Sequence, residues 1–104
     1  MPIPPRAVRF NAQKGLDIRA EQTPSNRAGT PVGLARARDL AAGVNVSEET
    51  IRRMVAFFNR HQQNWDPTDL TKKGSQAWLL WGGTAGRRWA EAELRKIERE
   101  QQNR

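Results

Sequence analysis

The stretch GGTAGRRW, residues 82 to 89, sets two glycines ahead of a helical pattern and follows them with paired cations. Free N–H groups at a helix start attract anions, and arginine adds full charge in the same turns. Gly83, Thr84, Gly86, Arg87 and Arg88 therefore form a candidate anion pocket. It is not a Walker A loop, because that motif's spacing and its Lys-Ser or Lys-Thr pair are missing. Cations near a helix N-terminus oppose the helix dipole, so the two arginines call for an anionic ligand or a neighbouring carboxylate. Asp66 or Asp69 could serve as that carboxylate.

Nucleophilic chemistry has little to work with. The chain has one histidine, His61, and neither cysteine nor tyrosine. A nucleophile and its base would have to pair a serine or threonine with that single imidazole, and no spacing brings them together. At a helix end, His61 reads as a dipole partner or a solvated residue. Acidic groups are scattered, without the close His and carboxylate spacing of a metal site. The expectation is a non-enzyme with no catalytic residues, no metal and no cofactor.

Charge points to a partner. Lysine and arginine total 18 against 11 acidic residues, a net charge of +7. Residues 90–104 balance four bases with four acids, so the whole excess lies in residues 1–89. A basic surface attracts phosphate polyanions and acidic proteins alike. The candidate nucleic-acid contacts are Arg36, Arg38, Arg52, Arg53, Arg60, Lys72, Lys73, Arg87 and Arg88. Trp65 sits in a polar stretch near Lys72 and Lys73 and is a candidate base-stacking residue or partner anchor.

These residues must be positioned by helices. Pro2, Pro4 and Pro5 delay a first helix to about residue 5, after which Val8, Ala12 and Leu16 recur at four-residue steps. Gly15 weakens that helix, and Gln22 to Gly29 reads as a loop. Thr30 caps a second helix with Pro31 in its first turn, Leu34, Ala37 and Leu40 or Ala41 face inward, and Gly43 ends it. Ser47 caps a third, with Glu48 and Glu49 in its first turn, Ile51, Met54, Val55 and Phe58 along its inner face and an end near His61. Ser75 is expected to cap a short fourth helix that Gly82 and Gly83 end, and Thr84 to cap a fifth with an apolar side of Ala90, Leu94 and Ile97. Trp78, Trp81 and Trp89 are expected in one core with Phe57 or Phe58.

The expected fold is all-α, a compact bundle of about four to five short helices with a projecting C-terminal helix. Residues 1–4 read as an N-terminal arm, 5–97 as a single helical domain and 98–104 as a helix end or tail; both tails are expected to be mobile in isolation. The longest apolar run, Ala77 to Trp81, is too short to span a bilayer, and no signal peptide is evident. The absence of cysteine suits a reducing compartment.

The run DLAAGVNVSEETIRRM resembles a helix-turn-helix, with a turn two residues longer than usual and with Glu48 and Glu49 where phosphates would arrive first. A helical hairpin with a solvated basic face accounts for the same letters.

As a set, KGLDIR, GTPVGLARARDLAAG, SEETIRRMVAFFNRH and WLLWGGTAGRRWA resemble a small helical module encoded by tailed bacteriophages and prophages, sometimes beside or fused to head-maturation proteins. The resemblance covers about residues 5–90. It departs in a shorter segment between His61 and Trp78, and in Thr84 where an acidic cap is common. The resemblance implies a viral origin and places the protein in the host cytoplasm or the virion. The expected partner is the DNA or RNA backbone, bound with little sequence specificity; the alternative is an acidic phage or host protein. No membrane is expected.

Overall fold

The computed structural model describes residues 2–103. Those residues are all-helical: α1 (Arg6–Glu21), α2 (Pro31–Ala42), α3 (Glu48–His61), α4 (Lys73–Leu80) and α5 (Gly83–Gln102), with single 3-10 turns at Pro24–Asn26 and Gln62–Asn64. None of these helices is long and apolar enough to cross a membrane.

Local signals set most boundaries. The Thr30 hydroxyl accepts from the Gly33 amide at 3.1 Å, and the Ser47 hydroxyl from the Thr50 amide at 3.2 Å, each satisfying one orphan donor of its helix. Gly43, at φ 73°, ends α2 in the left-handed conformation. Two caps differ from expectation. The first turn of α4 already contains Ser75, whose buried hydroxyl accepts from the Asp66 amide (3.1 Å) and donates to the Asp66 carbonyl (2.9 Å). The N-cap of α5 is Gly82, and the Thr84 hydroxyl accepts from the Trp78 indole N–H at 3.2 Å. In both cases a hydroxyl that could cap a helix is held by a distant group.

The core gathers one stripe from each helix. Val8, Ala12, Leu40, Ile51, Met54, Phe58, Trp78 and Ala90 are buried, while Leu94 and Ile97 pack on their edge. Phe58 and Trp78 meet edge to face at 4.7 Å, a favoured aromatic geometry. Fully burying a side chain such as Phe58 contributes roughly 1.5–3 kcal/mol. The main helix pairs are α1 with α2, α1 with α4 and α3 with α5. Consequently α2 and α3 do not form the packed pair of a helix-turn-helix or a helical hairpin, despite their adjacency in the chain.

The role of Gly15 is steric. A Cβ there would lie 2.8 Å from the Leu80 backbone nitrogen, so glycine allows α1 and α4 to cross at backbone contact. At the N-terminus, Pro4 is buried and the Pro2 carbonyl accepts from the Val46 amide at 2.8 Å. The N-terminal stretch thus touches the domain through Pro2 and Pro4, while Ile3 is exposed. At the other end α5 runs to Gln102, with residues 98–103 exposed.

Candidate functional site

At the start of α5 the candidate anion-pocket residues divide: Thr84 and Arg88 are exposed and Arg87 is half-buried. Gly83 and Gly86 are buried. The Asn11 amide of α1 donates to the Gly82 carbonyl at 2.9 Å, and a Cβ on Gly83 would come within 2.6 Å of that amide nitrogen. A Cβ on Gly86 would meet the Trp81 carbonyl at 2.7 Å. These glycines therefore serve packing against α1 and the Trp81 turn. Thr84 holds Trp78, as described.

Neither Asp66 nor Asp69 is the counter-charge of the arginines. Asp66 accepts from Lys72 at 2.7 Å and from the amide and hydroxyl of Thr68. The Lys72 and Thr68 contacts hold its carboxyl well below the usual carboxylate range, and the Asp66 charge raises Lys72 in return. Asp69 is likewise lowered by the hydroxyl and amide of Thr71. Arg87 instead faces Glu91 at 3.6 Å, donates to Gln62 and Asn59, and lies 6.0 Å from the Trp78 ring centroid. Arg88 is exposed.

The remaining cations divide. Arg53 is paired with Glu49 on the outer surface of α3, and Arg38 and Arg52 are also exposed. Arg36 lines a hollow of about 120 Å³ beside Asp39, Ser47 and Thr50, at the N-terminal end of α3. Trp65 is half-buried and stacked on Trp78, with centroids 5.7 Å apart at 13°. One of its faces is therefore occupied within the fold.

Arg60 and Lys73 come together at the opposite end of α3. They line a cavity of about 500 Å³ with Arg27, His61, Phe57 and Trp81; its remaining lining comes from residues 28–30, Gly33, Gly74, Ala77 and Leu80. Three segments converge here: the loop before α2, the last turn of α3 and the first turns of α4. No carboxylate stands among the described lining residues. Arg60 and Lys73 form no ion pair among the described residues. Arg27 donates through Nε to the Gln22 carbonyl at 3.0 Å and through Nη2 to the Ala20 carbonyl at 3.3 Å, which holds its guanidinium at the end of α1. Those bonds use two of its five N–H donors and leave three, with no carboxylate paired to the group among the described residues.

The floor is aromatic. Phe57 and Trp81 stack at 4.9 Å and 15°, and His61 lies 4.7 Å from Phe57. Gln76, fully buried behind the cavity, fixes its rim: its side-chain oxygen accepts from the Ala28 amide (3.0 Å), and its amide nitrogen donates to the carbonyls of Asn26 (2.9 Å) and Thr71 (2.6 Å).

Sequence reasoning singled out Arg60 and Lys73 but missed Arg27 and Gln76; it favoured the core over base stacking for Trp81 and named Phe57 or Phe58 as its core partner. The isolated position of Gln76 on the inward side of an apolar helix was the available signal. No family model, curated protein or solved structure matches this chain.

Proposed function

We propose that the protein is a non-enzymatic nucleic-acid-binding protein of a phage or prophage that holds the phosphate backbone, DNA foremost, through Arg27, Arg60 and Lys73. The observation that carries this reading is the cavity whose described lining has three cations and no carboxylate. Phosphates gain most where positive charge is concentrated and local acids do not neutralise it. The exposed Arg38, Arg52 and Arg88 add to the general attraction. The phage setting rests on the sequence resemblance alone.

The test is a binding titration against duplex and single-stranded oligonucleotides from low to moderate salt. With three phosphate contacts, log affinity falls against log salt with a slope of about −2.7 for duplex and about −2.1 for single strands. Absence of binding at low salt, or a flat salt response, overturns the reading.

A second reading has its own support. Phe10 is 65% exposed, beside Arg6, Arg9, Gln13 and Ala41 on the outer side of α1. An exposed aromatic flanked by cations suits an acidic protein segment. A protein captured from infected cells and retained after nuclease treatment, then lost with Phe10→Ser, supports this contact.

A further inference from the structure

We infer that the cavity between Arg27, Arg60 and Lys73 receives one unpaired nucleotide, with its base against the Trp81 side and its phosphate at the cationic rim. The protein accordingly prefers single-stranded to duplex nucleic acid. The inference rests on the nucleic-acid reading above and adds the form of the strand.

Two features separate this site from a surface that merely tracks phosphates. The first is volume. About 500 Å³ lies within the range of roughly 300–1,000 Å³ typical of small-molecule sites. A duplex presents its phosphates on a convex exterior and would meet the rim while leaving the interior unfilled. The second is the floor. Trp81, Phe57, Leu80 and Ala77 line the interior, and Phe57 already covers one face of Trp81, so a base reaches the indole from the other side or at its edge. Bases stacked in a duplex offer proteins their edges, and a base must leave the stack before an aromatic ring can cover its face. Stacking of this kind tolerates any base.

Gly33 supplies a way to fill the cavity without altering charge. A Cβ at this position has Thr30 Oγ1 at 3.5 Å and the Trp81 indole nitrogen at 3.9 Å, both ordinary contacts. The Gly33→Leu side chain would occupy the space beside Trp81.

The experiment measures affinity of the full chain at one salt concentration. The probes are a single strand, a duplex of the same length, a single strand made abasic throughout, and a nucleoside monophosphate. The expected result is single-strand binding about tenfold tighter than duplex binding, with the abasic strand reduced to about the duplex level. Gly33→Leu is expected to weaken single-strand binding more than duplex binding and so to remove the single-strand advantage. The abasic comparison needs no variant and decides the matter even if Gly33→Leu fails to fold. Equal affinity for abasic and base-bearing strands overturns the inference while leaving phosphate binding intact. Monophosphate binding as tight as strand binding overturns it in favour of a free small ligand. Failure of every strand to bind at low salt overturns the nucleic-acid reading itself.

Discussion

Gln76 and Ser75 are adjacent, buried and polar, and together they hold the loop before α2, which lines the cavity, and the segment before α4. Gln76 satisfies three backbone groups and Ser75 two, so neither can be exchanged for an isosteric apolar residue without stranding buried donors and acceptors. Gln76→Leu is expected to destabilise the fold by about 3 kcal/mol, read from urea denaturation. It also frees Ala28 and, with it, the neighbouring Arg27. Asp66 provides a pH dependence whose sign follows from its lowered carboxyl. The folded state binds this proton less readily than the unfolded chain. The stability from its Lys72 and Thr68 contacts is therefore present above the ordinary carboxylate range of about 4 and disappears as pH falls through the lower folded value. Asp66→Asn is expected to lower stability at neutral pH and to lose less between pH 7 and pH 3 than the parent chain, as measured by denaturant midpoints at both values.

At the level of elements, the sequence displayed what is local and hid what is shared. Thr30, Gly43 and Ser47 act within one helical turn, so their caps were legible from residue type and spacing. Ser75 and Thr84 have the same chemistry, but the Asp66 backbone and the Trp78 indole engage their hydroxyls, and those partners depend on tertiary packing. Periodicity correctly marked Val8, Ala12, Ile51, Met54 and Phe58 as inward, yet it says nothing about which helices cross. For that reason Gly15 read only as a weakness. Gly15→Ala raises helix propensity by about 1 kcal/mol, but its Cβ would meet the Leu80 backbone at 2.8 Å. The net result expected is destabilisation by roughly 1–3 kcal/mol, seen as a lower Tm. The C-terminal helix divides at Ile97: deleting residues 98–104 is expected to leave thermal unfolding cooperative, whereas deletion from residue 90 removes Ala90, Leu94 and Ile97 from the core and abolishes it.

Across the whole molecule, net charge was plain in the composition while its arrangement was not. The nine predicted contacts do not share one site: Arg53 and Arg87 face carboxylates, Lys72 is held by Asp66, and Arg36 lies at the far end of α3 from Arg60. The cavity draws its cations from positions 27, 60 and 73, a separation that no linear motif displays. The central claim is that this cavity is where phosphate is held. It is tested most directly by comparing the salt dependence of oligonucleotide binding between the parent chain and the Arg60→Gln/Lys73→Gln double variant, with both shown to be folded by circular dichroism. The account predicts weaker binding and a duplex log-log slope shallower by about 1.8, the loss of two phosphate contacts. An unchanged affinity and slope would contradict it.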